Sequence, residues 1–180
     1  TLNALNQVLE PERPRGEAPF FIIKRGEQFS LNPNAGIFLD VNLFEELIQA
    51  EDIQSFKKAA ELYSGNFLQN ESAQEWFIAE EQYYYQKYLV LVNNLIDHAM
   101  ESKEFEEALD LCTSIISRDK FNEGAYRYQM QIYHNMGNDQ LVRLVYQQCQ
   151  QNIDQEFGRE VSPETKKLYE NLLNDRRGEG

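Results

Sequence analysis

Near residue 37 the apolar positions of the chain change their spacing. Beyond it they recur every three or four residues, the signature of helices with one buried face. Val41, Phe44, Leu47 and Ile48 share such a face behind Asp40, a good helix cap, on a helix running to about Ala50. Ile53, Phe56, Ala60 and Tyr63 predict a second helix from about Asp52 to Tyr63, ending before Gly65. Ser72-Ala73-Gln74-Glu75 reads as a capping box, in which Ser and Glu each satisfy a backbone amide of the other. The helix it opens extends to about Ser102, roughly 45 Å at 1.5 Å per residue. Further helices are expected at 104–118, 122–136 and 139–156, divided by short turns containing Lys120 or Gly137. A last one starts at Ser162-Pro163, where Ser caps and proline takes the first helical position.

The leading segment obeys other rules. Pro11, Pro14, Gly16, Pro19, Gly26, Pro33 and Gly36 interrupt it every few residues, and only Pro163 of the five prolines lies further on. Leu2, Leu5, Val8 and Leu9 recur at helical spacing until Pro11 and Pro14 stop the helix. Phe20–Lys24 favours a strand, Arg25-Gly26-Glu27-Gln28 a turn, and Phe29-Ser30-Leu31 a returning strand. A lone hairpin is marginal in water, so this piece must pack on other sequence. Two domains are therefore expected, 1–36 and 37–180. The fold class is mainly α: a tetratricopeptide-like stack of helical hairpins with a short N-terminal helix and β-hairpin.

The stack is suggested by a weak internal repeat with a period of about 34 residues. Displacing the chain by that amount places Ala108 on Val142, Leu111 on Val145, Cys112 on Tyr146, Ile115 on Cys149, and Lys103 on Gly137. In such repeats each helix pair leaves an apolar face that the next pair covers, and Ala108 stands where two helices need a small residue between them. The first helix of each pair lines the concave side. Carried across, that phase presents Asn93, Asp97 and Glu101 from one pair and Arg127, Gln131 and His134 from the next. A mixed polar groove of this kind suits a peptide or protein segment better than a small apolar ligand. A merely solvated helix face is the alternative reading.

Charge sharpens the division. Lys and Arg number 17 against 30 Asp and Glu, a net charge of −13. Residues 1–36 hold four cations and four anions, so the entire excess lies in the helical part. Such a surface repels phosphate, which disfavours nucleic acid as a direct partner for it. No apolar run approaches the roughly 20 residues of a membrane-spanning helix. Two cysteines make no disulfide framework, and no secretory signal opens the sequence.

Catalytic constellations are missing. His98, His134, Cys112 and Cys149 lack metal-ligand spacing, and both cysteines fall on apolar helix phases, where a thiol packs as a small hydrophobe. Glu45-Glu46, Glu80-Glu81 and Glu106-Glu107 are adjacent rather than facing, which reads as solvated surface. Neither phosphate-binding glycine pattern occurs. Asn70-Glu71-Ser72 has the form of a glycosylation acceptor without the secretory context that would give it meaning. Tyr83, Tyr84, Tyr85 and Tyr88 could stack bases, but only Lys87 accompanies them; Tyr84 and Tyr88 share a side with Leu91 and Leu95, a core stripe. Trp76 and Phe77 read as packing anchors. No cofactor and no enzymatic activity are expected.

An ordered set of short segments carries a family resemblance. It begins with Leu39-Asp40-Val41 and Phe44, then Leu62-Tyr63, Gly65, Phe67-Leu68 and Glu75-Trp76. It continues through Phe105-Glu106-Glu107-Ala108-Leu109, Arg118-Asp119, Glu123, Ala125-Tyr126-Arg127 and Met130. Gly137, Tyr146, Phe157-Gly158 and Val161-Ser162-Pro163-Glu164-Thr165 with Leu168-Tyr169 complete it. The helical part resembles the bacterial transcriptional activator domain of the Streptomyces antibiotic regulatory protein family, over about residues 37 to 175.

The resemblance implies that residues 1–36 are the C-terminal part of a winged-helix DNA-binding domain. Leu2–Leu9 would be the last turns of its recognition helix, and Lys24 to Leu31 its wing. It further implies a cytoplasmic transcription regulator whose helical domain works through protein contacts, with the transcription machinery or with a second copy as a homodimer. DNA contact would be confined to the leading part, with Lys24 and Arg25 facing the phosphate backbone. A stand-alone tetratricopeptide-like adaptor that captures a peptide in its groove is the alternative.

Overall fold

A computed structural model describes residues 2–65 and 75–175, apart from the side chains at 75–77 and 175. The capping box at Ser72, the acceptor-like Asn70 and the side chains of Trp76 and Phe77 lie outside the described residues. The chain divides into two compact units, Thr1–Leu43 and Phe44–Gly180, each considered by itself.

The first unit contains helix α1 (Leu2–Leu9), strands β1 (Ile22–Arg25) and β2 (Gln28–Leu31), and a 3₁₀ turn at Pro33–Ala35. The strands pair antiparallel, with Ile22 opposite Leu31 and Arg25 opposite Gln28. The turn is therefore only Gly26-Glu27, tighter than the four residues expected, and Gly26 supplies a φ of +64°. Glu10 ties α1 to the hairpin by accepting the Phe20 and Phe21 amides at 2.8 and 3.1 Å. Asn6, not a leucine, is the buried residue of α1, whereas Leu5, Val8, Leu9, Phe20, Phe29 and Leu31 are exposed.

Helix α2 (Asp40–Gln49) leads into the second unit, which continues with α3 (Ile53–Leu62), α4 (Glu75–Glu101) and α5 (Phe105–Arg118). Helices α6 (Glu123–Asn135), α7 (Asp139–Phe157) and α8 (Pro163–Asp175) complete it. The described residues are mainly helical, with a short two-stranded sheet. Local chemistry explains the helix starts. Asp52, Asn122 and Asn138 each accept the amide three residues on, at 3.0 to 3.1 Å, and Ser162 accepts that of Thr165. From α3 onward each helix packs on the next, and α8 packs also on α6.

The repeat period is visible in the backbone. Helices α4 and α6 end one period apart, at Glu101 and Asn135, and α5 and α7 begin one period apart, at Phe105 and Asp139. Between them Lys103 and Gly137 both adopt left-handed φ, +60° and +82°. The closing hydrogen bonds repeat as well. Glu104 donates to the Ala99 carbonyl and Asn138 to that of Tyr133, both at 2.8 Å. Ala108 and Val142, equivalent in this register, are fully buried, as are Ile115 and Cys149.

The main core joins Phe44, Ala59, Tyr63, Tyr88, Leu91, Leu95, Ala108 and Cys112, so the Tyr84–Leu95 stripe is indeed core. Tyr63 and Tyr88 stack at 4.5 Å, and the Arg118 guanidinium lies over both rings while donating to the Tyr63 carbonyl. Smaller clusters around Tyr126, Cys149 and Ile153, and around Met130, Val142 and Leu172, carry the core toward α8.

Candidate functional site

A groove of about 590 Å³ runs across α4, α6 and α8. Helix α4 lends it Asn93 and Asp97, one turn apart, and α6 lends Gly124, Arg127, Tyr128 and Gln131. Four of the six residues assigned to the concave side by the repeat phase thus share one surface: Asn93, Asp97, Arg127 and Gln131. The other two, Glu101 and His134, lie in the last turns of α4 and α6 and are not part of the lining.

The third wall had no counterpart in the sequence reading. It is the face of α8 bearing Glu164, Lys167, Leu168 and Asn171, spaced three, four and seven residues apart. The periodic signal was present, since Leu168 and Leu172 mark the apolar side of α8. However, α6 begins at Glu123 and α8 only at Pro163, more than one period later, so the repeat did not reach it.

The groove is held in shape at the N-termini of α6 and α8. Glu123, in the first turn of α6, accepts the Ser162 amide at 2.8 Å, the Ser162 hydroxyl at 2.6 Å and the Thr165 hydroxyl at 2.7 Å, all on Oε2. Arg159 lies 3.5 Å from the other oxygen. Burial by itself would raise the Glu123 pKa, but these donors outweigh it and hold the carboxyl below its ordinary value. Thr165, fully buried, accepts from Arg127 Nη1 at 3.0 Å, and Glu164 approaches Nη2 at 3.6 Å. Arg127 is thereby fixed at the groove wall by α8. Burial, together with the neighbouring Asp97 carboxylate, pushes the Tyr128 hydroxyl up to about 12, so Tyr128 stands protonated beside that acid.

Burial raises the thiols of Cys112 and Cys149 to about 12, which keeps them as inert core groups. Among the described residues, no three His, Cys, Asp or Glu side chains are placed to hold a metal. Nor is any described helix long and apolar enough to cross a membrane.

Of the adjacent glutamates, Glu46, Glu80 and Glu106 are exposed, as expected. Glu45 and Glu107 pair across helices, which the expectation of plain solvated surface did not include. Glu45 pairs with Lys87, and Glu107 with Lys57 at 2.7 Å. Neighbouring helix positions point about 100° apart, so one acid of a pair can turn to the next helix while the other faces water. Lys87 also lies 4.6 Å from the Tyr83 ring centre, so the cation beside the tyrosine run is engaged within the protein. In the first unit Lys24 and Arg25 are exposed at consecutive positions of β1 and project to opposite faces of the hairpin.

No curated protein matches the sequence. The bacterial transcriptional activator domain does, over residues 39–173, from the start of α2 to the end of the groove-forming helix α8. With three quarters of its length in that match, the chain belongs to the bacterial transcriptional activator domain family.

Proposed function

We propose that this chain is the regulatory and self-association part of a DNA-binding transcriptional activator of the Streptomyces antibiotic regulatory protein type. In this reading residues 1–36 form the C-terminal part of a winged-helix domain, and residues 37–180 act in the cytoplasm through protein contacts rather than catalysis. The family match carries it, because it begins directly behind a helix and hairpin in the order a recognition helix and wing would take. The exposed apolar residues of that first unit support it, as does the concentration of negative charge in the helical unit. Lys24 or Arg25 would meet a phosphate from the hairpin, and the α4–α6–α8 groove would meet protein.

A mobility-shift titration tests this reading. The chain alone is expected to bind duplex DNA negligibly. Joined to the preceding helices of a winged-helix domain, it should bind with a steep dependence on salt. Equal, weak binding by both forms would refute it. The groove also favours a second reading, an adaptor for a peptide without any DNA reader. Replacing Arg127 and Gln131 by alanine should then abolish capture of the partner and leave the helical spectrum intact. An unchanged interaction profile would remove that reading.

A further inference from the structure

The hydrogen bonds already made in the groove indicate what it still lacks. Arg127 is occupied by Thr165 and Glu164, and Asp97 has the protonated Tyr128 hydroxyl beside it. Four polar groups of the lining make no hydrogen bond or ion pair with another described residue: the carboxamides of Asn93, Gln131 and Asn171, and the Lys167 ammonium. One amide comes from each wall, and the cation from α8. A carboxamide offers both a donor and an acceptor, which is also what each peptide unit of an extended chain requires. The lining runs from Gly124 to Gln131 on α6 and from Glu164 to Asn171 on α8, about 10 Å at 1.5 Å per residue. An extended segment crosses that distance in roughly three residues.

We infer that the groove receives an extended segment of a partner polypeptide, with its backbone on the three carboxamides and one Asp or Glu side chain on Lys167. The inference rests on the reading of the groove as a protein-contact surface. Charge narrows the occupant to a single acid. Glu164 pairs with Arg127, the Asp97 carboxylate lies beside the neutral Tyr128 hydroxyl, and Lys167 is the one lining cation without an ion-pair partner among the described residues. A single acid can reach Lys167, whereas further acids would meet Asp97 and Glu164 and the repulsion of a chain carrying −13.

The test uses the full 180-residue chain, labelled for amide spectroscopy, and three mixtures of N-acetylated heptapeptides whose other positions are randomised over uncharged residues. The first mixture has a central glutamate and the second a central glutamine, both with amidated ends. The third has the central glutamine and a free terminal carboxylate. The glutamate mixture is expected to shift the side-chain amides of Asn93, Gln131 and Asn171 and to bind about two- to fivefold more tightly than the glutamine mixture. Added salt should erode that preference, and Lys167→Gln should erase it without weakening the glutamine mixture. Equal binding of the two amidated mixtures would overturn the inference and leave the groove a protein-contact surface. Tightest binding by the free carboxylate would overturn it in favour of a chain terminus. Groove amides that respond to none of the three would overturn both the inference and the reading beneath it.

Discussion

Lys103 provides the sharpest test of the repeat, because it occupies a position that its equivalent fills with glycine. The backbone at Lys103 has φ +60°, and at Gly137, its equivalent in the next repeat, +82°. A residue with a Cβ in the left-handed region costs roughly 1–2 kcal/mol. Glycine returns part of that gain, roughly 0.5–1 kcal/mol, through its greater freedom in the unfolded chain. Lys103 is exposed and makes no ion pair or side-chain hydrogen bond with a described residue, so no other loss enters. Lys103→Gly should therefore stabilise the protein by about 0.5–1 kcal/mol. For a chain of this size that raises the melting temperature by about 1–4 °C. Thermal and denaturant unfolding followed by circular dichroism measure it, with Lys103→Ala as the control that removes the charge and keeps the Cβ. If glycine and alanine gave the same change, or glycine lowered the melting point, the strained helix-end geometry and the repeat register built on it would be wrong.

Other perturbations reach the groove and the core. Glu123→Gln should cost about 1–3 kcal/mol, since it removes the charge that three hydrogen bonds and Arg159 serve. The folded carboxyl titrates below its ordinary 4.5, so its contribution is complete above that pH and fades as pH falls through the folded value. Stability measured from pH 7 downward should thus converge for the two proteins in acid, and parallel curves would refute the assignment. Ala108→Trp should lower stability by about 1–3 kcal/mol, because the site has no room for a larger side chain. Circular dichroism would read this against a mainly helical spectrum. Cys112 and Cys149 should resist a thiol-titrating disulfide reagent in the native protein and react together when it unfolds. Fast native labelling of either would contradict the burial that raises their pKa.

Much of the fold was legible because helix ends carry their own chemistry. Asp52 and Ser162-Pro163 placed two helix starts to within a residue, and Gly137 marked the end of α6. The equivalent turn at Lys103 carries no glycine, and the break in apolar spacing between Ser102 and Glu104 located it. Asn93, Asp97, Arg127 and Gln131 were found on the groove through one periodic argument. That argument stopped at α8, since the 19 residues of α7 against 14 in α5 displace the next first helix. Glu123 could not be identified in advance. An acid in the first turn of a helix is common, and what distinguishes this one is contact with Ser162, 39 residues away. Glu45 and Glu107 show the same limit: their partners, Lys87 and Lys57, lie on other helices, out of reach of any local pattern.

The grip of Glu123 on Ser162 and Thr165 also determines who steers the last helix. Although α8 follows α7 in the chain, its beginning is clasped by α6, and α7 adds the Tyr146–Tyr169 ring stack at 4.0 Å. The stretch from Gly158 to Val161 is anchored to the same place, since Val161 is buried beside Tyr126, Cys149 and Ile153 and Arg159 pairs with Glu123. One carboxylate of α6 thus gathers both the approach to the last helix and its first turn, and exchanging that glutamate would loosen the two together.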